Sequence, residues 1–260
     1  MRWYYRIVLS RLSRQQYIVN NHQTNQFSTS KQELTIQTRN ASDRIFFGGS
    51  FDPVHLGHTQ LPNRIASSLD IQHVIYVPAA RSPFKSHHPT ADHHRLAMLQ
   101  LALHDHPNCE VWQHELVRGK SEPDSPSYWA DTWSEVQRQC DTGTNMFLIG
   151  TDQARSMHKW YRYEAFWKDA IVMLRLETGP NTRTDFLTQS KVLIEELAKQ
   201  GVWSPDDLNH WETRIVQAPL IDASSTKIRD TLANPQARKN SIQGLDPRVH
   251  RYILSQNLYQ

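Results

Sequence analysis

Long apolar runs are missing from this chain. No stretch approaches the roughly 18 to 20 apolar residues needed to span a bilayer, so a transmembrane helix is excluded and a soluble protein is expected. Cysteine is scarce: only Cys109 and Cys140 occur, and neither stands in a paired-ligand spacing. That argues against a disulfide framework and against a cysteine-ligated zinc site, and it fits a reducing compartment, the cytoplasm. A strong charge bias is absent too, with a net charge of +3 and a pI near 8.9. So small an excess gives no argument for nucleic acid, and a small anionic substrate suits it as well. Neither nucleic acid nor membrane is expected as a partner, and oligomeric state is left open.

What is present is ordinary for a globular protein: 260 residues, 38% hydrophobic and 21% charged. The mean hydropathy of -0.65 suggests that part of the chain does not contribute to a core. That part is the beginning. The first 40 residues hold six Lys/Arg (Arg2, Arg6, Arg11, Arg14, Lys31, Arg39) against one acid, Glu33. A transit peptide, a basic flexible tail and an upstream start codon all fit this composition. The polar run from Asn20 to Asn40 argues for disorder there. Residues 1–43 are therefore expected to be an extension, and 44–260 a single folded domain.

From Arg44 onward, short apolar runs alternate with helical patterns. Ile45-Phe46-Phe47, ended by Gly48-Gly49, reads as a buried strand entering a tight turn. A helix is predicted from about Leu56 to Leu69, a strand over His73–Val77 stopped by Pro78, and a helix from about Asp92 to Asp105. That second helix presents Leu96, Leu99, Ala102 and Leu103 on one face. A strand at Glu110–Trp112, a helix from about Tyr128 to Cys140, and strands at Met146–Ile149, Ala170–Leu174 and Arg214–Gln217 complete the pattern. Parallel strands need such crossovers, so the fold class is α/β with a Rossmann-like doubly wound sheet. Ligands of such sheets sit at the carboxyl ends of the strands, where their order reverses.

The strongest chemical signal is Gly48-Gly49-Ser50-Phe51-Asp52-Pro53-Val54-His55-Leu56-Gly57-His58. It follows a strand and opens a helix. The two glycines let the backbone turn sharply and approach a ligand, and the helix start offers unpaired N–H groups to an anion. His55 and His58, three apart, share one face of the first turn. Gly57 between them is expected to leave room for a bulky group. The same pair could share a zinc ion, with Asp52 as the local third ligand, or be surface histidines beside a glycine turn. A second anion site is suggested by Ser224, Ser225 and Thr226, which read as an N-cap with spare donors. Arg229, a turn later, can present a planar fork to phosphate. Ordinary capping beside a surface arginine reads equally well, and Lys227 points to solvent.

Taken together, these residues resemble the H-x-G-H nucleotidyltransferase superfamily. GGSFDPVHLGH matches its first signature, and Ser224 to Arg229 its second, S-[SA]-T-x-I-R. Pro83-Phe84-Lys85, Arg95 to Ala102, Ser127-Tyr128, Ile149-Gly150-Thr151-Asp152, Trp160-Tyr161 and the ending from Pro247 are similar to the nicotinate-nucleotide adenylyltransferase branch. The resemblance covers about Arg44 to Gln260. It implies transfer of an adenylyl group from ATP, carrying Mg2+ on its phosphates, to nicotinate mononucleotide. No protein-bound metal is expected.

The resemblance also implies residue roles. His55 and His58 would contact the ATP phosphates, helped by Lys85 and Arg229. Gly48, Gly49, Ser50 and Phe51 would line the nucleotide site, with Ser224, Ser225 and Thr226 opposite. Asp152 would accept from a ribose of the adenosine half, and Trp160 would stack on the pyridine ring beside Tyr128 and Trp129. Trp129 replaces a small hydroxyl residue of the pattern, and Phe84 a polar one; neither touches the ATP motifs. Another phosphate acceptor, nicotinamide mononucleotide or phosphopantetheine, is the nearest alternative, and a catalytically silent nucleotide sensor the next.

Overall fold

The computed structural model describes residues 36, 43–81, 89–122, 125–140, 142–177, 179 and 182–260. Lys85 and almost all of the expected extension lie outside the described residues. Six strands form one parallel sheet: β1 (Asp43–Gly49), β2 (His73–Pro78), β3 (Cys109–Val111), β4 (Thr144–Gly150), β5 (Ala170–Leu176) and β6 (Ile215–Pro219), in the order β3-β2-β1-β4-β5-β6. This is the doubly wound order, with its reversal between β1 and β4.

The central strands read as continuous apolar runs because both faces of the sheet are covered. Successive side chains point to opposite sides. Ile45 and Phe47 therefore join one core, together with Met146, Leu148, Ile171 and Met173. Phe46, Phe147, Ile149, Val172 and Leu174 join the other. On the first face lie α1 (Leu56–Ser68), α2 (Asp92–Ala102), α8 (Ser225–Ala233) and α9 (Pro247–Ser255). The second face carries α4 (Trp129–Gln139), α6 (Thr182–Ala198) and α7 (Pro205–Thr213). All seven described tryptophans pack on this second face. The remaining helices are α3 (His114–Ser121), after β3, and the short α5 (Thr151–Ser156), directly after β4.

Helix ends follow local chemistry. Ser204 accepts from the Asp207 N–H and Asp207 returns the bond, with Pro205 at the first helical position of α7. Asp246 caps α9 by accepting from the Arg248 N–H at 2.7 Å. One expectation is corrected. On α2 the buried residues are Arg95, Met98, Leu99 and Ala102, while Leu96 is only partly buried. Ile36, inside the stretch expected to be an extension, is fully buried in the second core, and its N–H donates to Gln139 Oε1 at 2.8 Å. No helix among the described residues is long and apolar enough to cross a membrane.

Candidate active site

β1 and β4 end side by side, and the chain leaving each builds one rim of the crevice at the order reversal. After β1 the backbone must pass under Trp129. A Cβ on Gly48 would stand 2.7 Å from Trp129 Cζ3, so only glycine fits without a shift. Phe51 adopts a left-handed φ of 50°, uncommon for a bulky residue, and its ring is 1% exposed. The sequence reading places Phe51 in the nucleotide lining. The structure instead turns the ring inward, edge-on to His58 with centroids 5.2 Å apart, where it supports the imidazole from behind.

His55 is the N-cap of α1 and His58 stands in its first turn. Their rings stack, with centroids 3.7 Å apart and planes 21° from parallel. The His55 N–H donates to His58 Nδ1 at 3.3 Å, which fixes the His58 proton on Nε2. Tyr76 adds a brace, its hydroxyl donating to the His58 carbonyl at 3.2 Å. His55 Nδ1 is buried and has no hydrogen-bond partner among the described residues. Burial, and secondarily the cation of Arg175, lower the His55 pKa to about 4, so this imidazole is neutral at pH 7. The space above Gly57 is taken by the His55 ring itself, whose Cε1 would lie 3.0 Å from an added Cβ, so the expected room for a ligand is absent there.

The two sequence clusters meet. Ser225 Oγ donates to the Pro53 carbonyl at 2.9 Å, and Arg229 Nη1 to the Asp52 carbonyl at 2.7 Å, across more than 170 residues of chain. Ser224 holds the N-cap position of α8, but its hydroxyl makes no capping bond; Ser225 and Thr226 already lie in the first turn. Thr226 Oγ1 lies 3.4 Å from Arg229 Nη2. Lys227 points to solvent, near Asp222. Further bonds clamp the same loop. Fully buried Arg95 donates to the Ser50 carbonyl at 2.7 Å. Asp52 accepts from Tyr259 Oη and from the Thr90 N–H. With Asp52 so committed, it is a poor third zinc ligand for the histidine pair. Among the described residues no group of three or more His, Cys, Asp or Glu is placed to hold a metal ion.

Beside this loop opens a cavity of about 520 Å³ that shares Gly48, Gly49 and Ser50 as one wall. Its other walls include Tyr128, Trp129, Trp160 and Tyr161, with Tyr128 and Tyr161 in ring contact at 4.7 Å. Flat apolar walls with few polar groups suit a heteroaromatic ring. Asp152 is exposed in the first turn of α5, outside this lining, with its carboxylate close to Gly150.

The family model described as cytidylyltransferase-like matches residues 46–231. A Pseudoalteromonas atlantica protein named "Probable nicotinate-nucleotide adenylyltransferase" is 31% identical over 216 residues, 82% of this chain and 93% of its own length. The chain belongs to the nicotinate-nucleotide adenylyltransferase family. A Yersinia pestis protein of the same name is 29% identical over 231 residues, 87% of this chain and all of its own. The fold is shared with the Plasmodium falciparum nicotinic acid mononucleotide adenylyltransferase solved with NaAD, at a TM-score of 0.55 and 15% identity, covering 84% of this chain and 97% of that one.

Two residues of this adenylyltransferase-family site escaped the sequence reading. Arg175, near the end of β5, is close enough to act electrostatically on His55. Glu115, 3% exposed on α3, lines the aromatic cavity. Neither lies in a motif, and only the folded sheet brings them to the site.

Proposed function

We propose that the protein transfers AMP from ATP to the 5′ phosphate of nicotinate mononucleotide, releasing pyrophosphate. One observation carries this reading: a single loop, Gly48 to His58, is bound by the α8 cluster on one side and forms a wall of an aromatic cavity on the other. A triphosphate held at the histidine pair would thus present its α-phosphorus to an acceptor whose ring sits in the cavity. Trp160 offers that ring a stacking face, flanked by Tyr128 and Trp129. Asp152 would accept from a ribose hydroxyl of the adenosine half.

In the reaction an oxygen of the acceptor phosphate attacks the α-phosphorus, and the bond to the β-phosphate oxygen breaks. The attacking oxygen is already anionic, so no general base and no covalent intermediate are required. The protein aligns the two groups and neutralises charge growing on the departing pyrophosphate. His58 donates through Nε2–H, and neutral His55 through its single N–H. Arg229, Arg175 and Lys85 supply positive charge. Mg2+ enters with ATP as part of the substrate, keeping most of its ligands as water and phosphate oxygen. The catalytic unit is proposed to be 44–260, working in the cytoplasm.

Release of pyrophosphate on mixing the protein with MgATP and nicotinate mononucleotide tests the reading, with CTP, nicotinamide mononucleotide and phosphopantetheine as competitors. ATP with a pyridine mononucleotide is expected to dominate. Turnover only with phosphopantetheine, or only with CTP, would overturn it.

A further inference from the structure

The acceptor cavity contains a buried acid that the proposed chemistry does not use. Glu115 is 3% exposed and lines the cavity together with Ser127 and five aromatic residues. Thr132 Oγ1 donates to Glu115 Oε1 at 2.7 Å. Among the described residues no cation forms a salt bridge with the carboxyl. Arg118, on the same helix, is largely buried, with one guanidinium nitrogen 3.6 Å from Asp131; its charge and that of Arg95 act on Glu115 against the larger effect of burial. Arg95, on α2, has its guanidinium held by Asp92 and by the Ser50 and Thr90 carbonyls. Lys159, which also lines the cavity, is exposed.

We propose that Glu115 is a specificity-determining residue of the acceptor site, donating a hydrogen bond from its carboxyl group to the carboxylate substituent of the pyridine ring. This rests on the function proposed above and adds the group that selects the acid acceptor. A buried, ionised Glu115 would face a second carboxylate in a low-dielectric cavity, where two like charges repel strongly. As the neutral acid it becomes a donor, as buried carboxyls elsewhere do. Burial raises its pKa in this structure, the direction that favours the acid form. Thr132 occupies one oxygen as a donor and the Ser127 hydroxyl also bonds the carboxyl, so the acid is oriented by two hydroxyls and carries its proton on the oxygen away from Thr132. An amide in place of the ring carboxylate would forgo only a neutral bond, whereas the carboxylate gains a charge-assisted one.

The test compares kcat/KM for nicotinate and nicotinamide mononucleotides in the unsubstituted protein, Glu115→Gln and Glu115→Met, with melting temperatures as a folding control. Gln reproduces the protonated acid: its oxygen still accepts from Thr132 and its NH2 still donates. It is expected to keep the preference for the nicotinate substrate within about threefold, whereas Met is expected to lower that preference by roughly 10- to 100-fold. The proposal is overturned if Met slows both acceptors equally, which marks a merely structural role. It is equally overturned if Gln raises use of the nicotinate substrate tenfold or more, which marks an ionised Glu115. Should Met fail to fold, the Gln comparison still decides between donor and anion. No turnover with either acceptor in the unsubstituted protein sinks the underlying functional reading and this inference with it; turnover without the Glu115 pattern sinks the inference alone.

Discussion

Arg229 and Asp52 are 177 residues apart in sequence, and the guanidinium of the first donates to the carbonyl of the second at 2.7 Å. The bond joins the start of α8 to the loop that carries the histidine pair. It also explains why two short motifs at opposite ends of the chain form one site: each holds the other in place before any ligand arrives.

His58 should be the residue whose loss costs most in rate and least in fold. Its ring faces Phe51, and its Nδ1 accepts from the His55 N–H, so His58→Ala removes a preorganised donor and one weak loop bond. We expect kcat to fall roughly a hundredfold or more, with the melting temperature changed by a few degrees at most. Steady-state pyrophosphate release beside a thermal melt checks both; near-normal kcat would remove His58 from the mechanism.

His55 should make stability depend on pH. Its pKa of about 4 in the fold lies below the ordinary 6.5, so between those values the unfolded chain binds the proton and the folded one does not. The stabilisation is full above pH 6.5 and is lost as pH falls toward 4, by at most about 3 kcal/mol. Urea melts of the unsubstituted protein and His55→Asn should therefore converge at acid pH relative to their difference at pH 7.5. Parallel curves would contradict the neutral, buried imidazole.

Gly48 and Trp129 should be energetically coupled. Gly48→Ala places a Cβ 2.7 Å from Trp129 Cζ3 and should destabilise by about 1 to 3 kcal/mol. In a Trp129→Ala background the same change should cost little, because the ring is gone. Equal costs in the two backgrounds, read from denaturant melts, would show that the contact is not the constraint.

Much of this was legible in the sequence for definite reasons. The strands of the sheet centre are buried on both faces, so Ile45–Phe47 and Met146–Ile149 stand out as unbroken apolar runs. The helix α2 was read less well, since Arg95 is buried for its bonds to the Ser50 and Thr90 carbonyls, which a hydrophobic pattern cannot register. Helices α3 and α7 went unread because they run only 8 and 9 residues, and α6 because its apolar positions mark out a face only weakly. At the site, the two motifs declared themselves through resemblance, but the spare hydroxyl expected at Ser225 and the room expected above Gly57 did not. Ser225 is turned to Pro53, and the His55 ring fills the space at Gly57. Arg175 and Glu115 reach the site only through tertiary packing.

The central claim, that the histidine pair and the α8 cluster grip one triphosphate, is tested most directly by a double-mutant cycle. His58→Ala, Arg229→Ala and the double variant would be compared in kcat/KM for MgATP. Groups acting on one ligand as a unit lose function non-additively, so the double variant is predicted to fall within about tenfold of the weaker single variant. Losses that simply multiply would show two independent sites, and would contradict the account.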